Sequence, residues 1–230
     1  MKILWGSLAV NGRGKLGGHV YTKARSGATV RTRVTPANPQ SQAQSQVRSD
    51  FSVVSRAWSG LTAAQRAGWN SAVDAYQRTN VFGDSYAPSG KNLFTQLNLN
   101  LLNVGANTIT DVPSNRKSAG VIITDAAFNI VDEELDVSYD VTGKFIGSVF
   151  LVFEATPPMS QGVYNFSGKY RKFYQIALND TIDVAAAYAA YVAKFGAPSL
   201  GLKVSIRVKA VTISSALASS PSSFDTIVSN

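Results

Sequence analysis

The amino-acid sequence predicts an α+β fold: an N-terminal β-hairpin arm and a small helical module, followed by an antiparallel immunoglobulin- or fibronectin-III-like β-sandwich with one crossover helix. Three patterns predict it: period-two alternation near the start, helical spacing of apolar residues after residue 41, and closely spaced strand-like segments after residue 119. A chain of 230 residues is long enough to bury more than one core. The expected parts are a basic β-hairpin arm at 1–40, a helical module at 41–110 and a β-sandwich at 119–230.

The arm is predicted from two strand-like segments, residues 19–23 and 28–34, on either side of the turn signal at 26–27. In the second segment, apolar residues and threonine alternate with Arg31 and Arg33. Successive side chains of a strand point to opposite faces, so both arginines belong to one face. These segments predict a hairpin with a basic face.

Two capping-box patterns predict the starts of helices, Ser41 with Gln44 and Thr62 with Gln65. A break at 59–60 separates the two helices, and a third begins near Ser89. The three predicted apolar stripes are Val47, Phe51, Val54, Trp58 and Leu61; then Trp69, Val73 and Tyr76; then Leu93, Phe94, Leu97 and Leu101. We interpret the tryptophans in these stripes as core residues rather than as a base-stacking surface.

A polar segment, residues 105–118, is predicted to be a linker, and short strands follow it. One helix interrupts them at 184–195, and Gly196 with Pro198 just beyond predicts its end. The predicted strands are residues 134–141, 149–153, 170–176, 203–211 and 224–228.

Positive charge is concentrated in the first half of the chain. The net charge is +8; residues 1–110 contain 12 Lys+Arg and 3 Asp+Glu, whereas residues 111–230 contain 10 and 11. This asymmetry indicates either an anionic partner, such as nucleic acid or an acidic protein surface, or a solubilising face. The candidate partner-binding residues are Arg13, Lys15, Lys23, Arg25, Arg31 and Arg33.

The composition argues against most catalytic chemistry. The chain contains no cysteine and a single histidine, His19. Disulfides, zinc–thiolate sites and thiol nucleophiles are therefore excluded, as is a metal site built from several histidines. We expect a protein that is not an enzyme, with no catalytic residues, no cofactor and no metal. No segment has the length of a membrane span, so we expect no membrane contact.

Two glycine motifs superficially resemble phosphate-binding loops. Residues 12–17 match G-x-G-x-x-G, but strand-forming residues follow them where a dinucleotide site needs a helix. Residues 89–92 lack the upstream glycine and the final Ser/Thr of a phosphate loop. We interpret the first motif as turns and the second as a helix start.

Two further clusters leave alternatives open. Residues 169–174 interleave basic and aromatic side chains, which fits a single-strand stacking platform or an ordinary strand with a basic outer face. The densest acidic cluster fits a solvated strand face, a calcium site without an EF-hand loop, an acid–base pair, or a docking patch for a neighbouring copy's basic hairpin. Its members are Asp132, Glu133, Glu134, Asp136 and Asp140.

Several segments together resemble an uncharacterised family of proteins from tailed bacteriophages and prophages, some of them virion structural proteins. The resemblance is clearest over residues 12–104, and the C-terminal half is similar to the β-sandwich often joined to such modules. The segments that carry it are residues 14–23, 30–39, 57–58, 61–62, 65–66, 69–70, 89–94 and 98–100. The family offers no catalytic residues to transfer to this chain.

The resemblance implies a virion component, assembled in the host cytoplasm in many copies. Its expected partners are further copies of itself and other virion proteins of the capsid, portal or tail. A neck or connector position is favoured over capsid decoration or fibre attachment. Two other classes stay open: a nucleic-acid-binding module that contacts DNA through the basic hairpin, and an enzyme.

Overall fold

The computed structural model describes residues 12–35, 37–142, 149–178 and 182–229. Residues 1–11 and Pro36, which belong to the predicted arm, lie outside this description. The chain divides into two compact units. The N-terminal unit comprises Met1–Leu99 and Thr108–Val112, and the C-terminal unit comprises Asn100–Asn107 and Pro113–Asn230.

The N-terminal unit begins with a three-stranded antiparallel sheet, in the order β1 (Gly14–Leu16), β2 (His19–Ala24) and β3 (Gly27–Thr32). Strands β2 and β3 form the predicted hairpin, with Ala24 opposite Gly27. The G-x-G-x-x-G motif forms β1 and the turn into β2, where Gly17 has a φ of 54°. No helix follows the motif, so it lacks the strand–loop–helix context of a dinucleotide site.

Helices α1 (Gln42–Gly60) and α2 (Ala63–Ser71) begin at the predicted caps. Thr62 and Gln65 form a complete capping box. At the start of α1, the Oγ of Ser41 accepts a 3.4 Å hydrogen bond from the backbone nitrogen of Gln44. The side-chain Oε1 of Gln44 is buried and has no hydrogen-bond partner in the described part of the chain. The remaining elements of this half are a 3₁₀ helix (Ala72–Tyr76), β4 (Arg78–Thr79), β5 (Ser85–Tyr86) and α3 (Gly90–Asn103).

The core of the N-terminal unit is built around the ring of Phe94. The ring centroid of Trp58 lies 5.4 Å from it, and that of Trp69 meets it edge-on at 5.2 Å. Trp69 is fully buried, and Trp58 is half-buried against the same ring, so both pack on the core as predicted. The predicted α1 stripe is only partly buried, because Val47 and Phe51 are 65% and 51% exposed. Other buried apolar side chains in the described part of this unit include Val54, Leu61, Ala72, Leu93 and Leu97.

The C-terminal unit contains one large curled sheet with the predicted crossover helix, α4 (Val184–Phe195). The strand path is β7, β6, β12, β10, β8, β9, and the short β11 pairs with β10. The pairs along this path are antiparallel except β6 with β12, which run parallel at Val228 opposite Phe128. The strands are β6 (Gly120–Asn129), β7 (Glu134–Thr142), β8 (Val149–Ala155), β9 (Arg171–Ala177), β10 (Lys203–Thr212), β11 (Leu217–Ala218) and β12 (Ser222–Ser229).

Helix α4 contacts both end strands of this path, β7 and β9, so the sheet curls around one apolar core. Aromatic rings fill the core: Tyr191 meets Phe128 at 4.8 Å and Phe173 at 5.9 Å. Tyr139 on β7 contacts Phe153 on β8 at 6.4 Å, although these two strands are not paired. The described fold is thus mixed α+β, as predicted.

The predicted linker is held in place by specific contacts. The buried Oδ1 of Asn98 accepts a 2.7 Å bond from the backbone nitrogen of Ile109, within the N-terminal unit. Ala106, near the start of the linker, and Val104, just before it, pack with Val152 and Val211 in a small apolar cluster of the C-terminal unit. Residues 104–112 therefore contribute to both units.

Candidate interaction surface

The pairing register of the N-terminal sheet shows where the predicted basic residues lie. Val20 is opposite Lys15 on β1 and opposite Arg31 on β3. Cross-strand partners share a face, so Lys15 and Arg31 flank Val20 on one side of the sheet. Arg33 follows β3 in the same alternating phase, and its backbone nitrogen bonds to the carbonyl of Gly18 at 2.8 Å. We call this side, with Lys15, Val20, Arg31 and Arg33, the basic face.

The other predicted basic residues are placed differently. Lys23 is opposite Ala28 and belongs to the reverse face of the sheet. Arg25 lies in the β2–β3 turn, and its guanidinium donates a 3.0 Å bond to the carbonyl of Pro88. Arg13 is exposed directly before β1. Arg25 therefore fixes the hairpin turn within its own unit, whereas the basic face stays available to solvent.

The arm sheet buries little of itself. Of the residues in its three strands, only Val30 is buried, and most side chains on both faces are exposed. Small sheets are stable when a hydrophobic face packs against another layer. No ion pair joins Arg13, Lys15, Lys23, Arg31 or Arg33 to any other residue that the structure describes. The surface therefore has unsatisfied capacity for an anionic partner.

The acidic cluster lies at one end of the C-terminal sheet. Glu134, Asp136 and Asp140 alternate on the exposed side of β7, and Asp132 and Glu133 are exposed in the preceding turn. Asn129 orders that turn: its Oδ1 accepts a 2.9 Å hydrogen bond from the backbone nitrogen of Val131. Within the described ranges, no group of three or more side chains is arranged to hold a metal ion. The calcium interpretation therefore has no structural support.

A groove of about 490 Å³ lies between this turn and α4. Its apolar wall is formed by Ala185, Tyr188, Ala189, Val192 and Ala193, and its acidic rim by Asp132 and Glu133. No pattern in the sequence singled out this groove. The available signal was the helical spacing of residues 185, 188, 189 and 192, although spacing alone does not distinguish a groove wall from a core stripe.

Charges near the middle of the same sheet neutralise one another. Glu154 is bound by the guanidinium of Arg207 and, at 2.6 Å, by the ammonium of Lys209. Burial by itself would raise the pKa of Glu154, but the hydrogen bonds and charges of Lys209 and Arg207 lower it overall. Burial, together with the nearby Lys209, lowers the pKa of Lys172, whose ammonium contacts the carbonyl of Asn103.

Residues 169–174 do not form a stacking platform. Phe173 and Tyr174 pack towards the core, against Tyr191 and Phe153. The ring of Tyr170 is covered by the guanidinium of Arg207, 4.2 Å from the ring centroid. The part of this segment from Arg171 onward belongs to β9, an ordinary strand with basic residues beside packed aromatic rings.

The comparisons with known proteins add no assignment: no protein family model, curated protein or solved structure matches this chain. Among the described residues, no helix is both long enough and apolar enough to cross a membrane. The interpretation of the surface therefore depends on its own chemistry.

Proposed function

We propose that this protein is a bacteriophage virion structural protein that acts by multi-copy assembly, with the N-terminal arm docking on neighbouring subunits. The observation that carries the proposal is the sparsely buried arm sheet, whose basic face makes no ion pair within the described chain. Such a sheet presents charges and backbone edges that a neighbouring subunit can use. The virion assignment itself comes from the sequence resemblance.

Within this proposal, a neck or connector position is preferred over capsid decoration or fibre attachment. The C-terminal unit is proposed to be exposed on the assembled particle, where other virion proteins bind it. Its kinship with immunoglobulin-like sandwiches is also a proposal. The Tyr139–Phe153 contact between unpaired strands supports it, because facing sheet layers make such contacts.

The first test is the mass of the purified chain, measured by light scattering at low and high salt. We expect a discrete oligomer at low salt, with a mass several times the 24.5 kDa of one chain. A single 24.5 kDa species at both salt concentrations would contradict self-assembly. Mass spectrometry of purified phage particles tests the virion assignment, because this chain should then be present at a fixed ratio to the capsid protein.

The basic face also supports a second function, binding of nucleic acid. Lysine and arginine that contact phosphates release counterions, so affinity should fall steeply with salt. Retention on a DNA column that salt abolishes, by a chain that remains monomeric, favours this alternative. A large assembly that forms without DNA favours the first proposal.

A further inference from the structure

One surface of the C-terminal unit has the chemistry to receive the basic face. We call it the acidic face: Asp132 and Glu133 on the rim of the groove beside α4, with Glu134, Asp136 and Asp140 continuing along β7. None of these five carboxylates forms an ion pair with another described residue. In contrast, Glu154 and Asp225 of the same sheet are both paired with cations.

Three of these carboxylates lie on β7, where Glu134 and Asp136 are two residues apart and Asp140 is four residues further on. Residues two apart on a strand are separated by about 7 Å, and neighbouring like charges at such distances repel one another. A partner that brings cations at the same spacing relieves this repulsion. The acidic face is therefore best matched by an extended, basic strand or sheet.

The arm of this same chain has that pattern. Arg31 and Arg33 are also two residues apart, and Lys15 is placed beside Arg31 across Val20. Arginines at this spacing can lie opposite successive acids of β7, such as Glu134 and Asp136.

We propose that the acidic face is the docking surface for the basic face of a second copy of this chain. This inference rests on the proposed multi-copy assembly and names the partner surface within it. Each copy carries one basic face and one acidic face, so the contact is head-to-tail and repeats from copy to copy. Such a contact forms a ring when its rotation closes.

The pairing is tested by reversing the charges of each face in a separate variant and then mixing the two variants. One variant reverses the arm (Lys15→Glu, Arg31→Glu, Arg33→Glu), and the other reverses the strand (Glu134→Lys, Asp136→Lys, Asp140→Lys). Each variant alone should remain at 24.5 kDa at low salt, because its two faces then carry the same sign. Mixing the two variants should restore assembly, because each contact again joins opposite charges.

Cross-linking gives an independent readout, since the chain has no cysteine of its own. Thr22 belongs to the basic face and Ser138 lies between Asp136 and Asp140. Mixed Thr22→Cys and Ser138→Cys chains should form heterodimers with a short bismaleimide. Thr32→Cys is the matched control, because Thr32 is exposed on the reverse face of the arm sheet and should link poorly.

The outcomes separate this inference from the proposed function. If both reversed variants still assemble as the wild type does, and no cross-link forms between positions 22 and 138, the docking surface is overturned while multi-copy assembly stands. A wild-type chain that stays monomeric at low salt overturns both together. Circular dichroism of each reversed variant must match the wild type, because an unfolded variant would also fail to assemble. Restored assembly in the mixture excludes unfolding independently.

Discussion

The indole nitrogen of Trp69 donates a 2.8 Å hydrogen bond to the backbone carbonyl of Thr110, and the ring of Trp69 packs edge-on against Phe94. One residue earlier, the backbone nitrogen of Ile109 is bound by Asn98. Two buried side chains from different helices thus hold the segment 108–112 against the N-terminal unit. The position of this segment depends on polar bonds made in the core.

Trp69→Phe should lower the free energy of unfolding by about 1–3 kcal/mol beyond the effect of its smaller ring, because the carbonyl of Thr110 loses its donor. Urea denaturation followed by circular dichroism measures this loss. Trp58→Phe is the control: Trp58 also packs on Phe94, but no described residue accepts a bond from its indole. Equal losses in the two variants would show that the hydrogen bond contributes nothing.

Gly90→Ala should destabilise the N-terminal unit by about 1–3 kcal/mol, the range for forced overpacking. A Cβ there would lie 2.9 Å from the backbone nitrogen of Asn70 and 3.0 Å from the carbonyl carbon of Trp69. The backbone of α2 must move to make room. Thermal denaturation of Gly90→Ala and Gly68→Ala measures the difference.

Gly68→Ala is the matched control, since a Cβ at this helical position meets nothing within 4 Å. Alanine there should stabilise α2 by about 0.5–1 kcal/mol through its higher helix propensity. Opposite signs for the two substitutions are expected. A neutral Gly90→Ala would mean that α2 and α3 separate at no cost.

Stability should fall in acid partly because of Glu154. The pKa of Glu154 in the folded chain is below its usual value of 4.5. Its contribution to the free energy of unfolding is therefore fully present above pH 4.5, and it is lost as the pH falls through the lower pKa of the folded chain. At pH 7, Glu154→Gln should cost about 1–3 kcal/mol, since Arg207 and Lys209 lose their anion.

Urea titrations at pH 7 and at low pH measure this dependence for both chains. The difference between wild type and Glu154→Gln should shrink towards zero as the pH falls below the lowered pKa of Glu154, because the carboxyl group is then protonated. A difference that stays constant with pH would assign the effect to packing rather than to charge.

Tyr191→Phe should destabilise the C-terminal unit by about 1–2 kcal/mol. The Tyr191 hydroxyl donates a 3.0 Å bond to the carbonyl of Thr156 inside the core, where burial also raises the pKa of Tyr191. Tyr164→Phe is the control, because Tyr164 is 82% exposed and its variant should change stability by less than about 0.5 kcal/mol. Chemical denaturation of the two variants decides whether the buried bond matters.

The helices could be predicted because their signals are local. Capping residues and apolar spacing identified α1, α2 and α4 without knowledge of the fold. The elements against which α1 packs cannot be predicted from its own residues. Val47 and Phe51 have the same spacing as the buried Val54, yet they are exposed. Periodicity identifies a face, whereas burial depends on which elements reach it.

Strand β6 could not be predicted from alternation. The odd-numbered Val121 and Ile123 are buried in its first half, whereas the even-numbered Ala126 and Phe128 are buried in its second half. The change occurs because a β-bulge shifts the register between Ile123 and Asp125. One extra residue reverses the inward and outward positions after it. The pattern therefore loses its period in the middle of a ten-residue strand.

The basic residues of the candidate surface could be listed from the sequence, but their grouping could not. Alternation related Arg31 to Arg33 within one strand. Placing Lys15 beside Arg31 required the register of β1 on β2 and of β2 on β3. The first register depends on the turn at Gly17 and the second on the turn between Ala24 and Gly27, and the pattern of charges does not predict the geometry of either turn.

The division of the central segment has a practical consequence for anyone who expresses the parts separately. A fragment that ends at residue 107 leaves the indole of Trp69 and the amide of Asn98 without Thr110 and Ile109. A fragment that starts at residue 113 lacks Asn100, whose side chain bonds to the carbonyl of Ala216 at 2.9 Å. No single cleavage point yields two intact pieces; overlapping fragments that both retain residues 100–112 are needed.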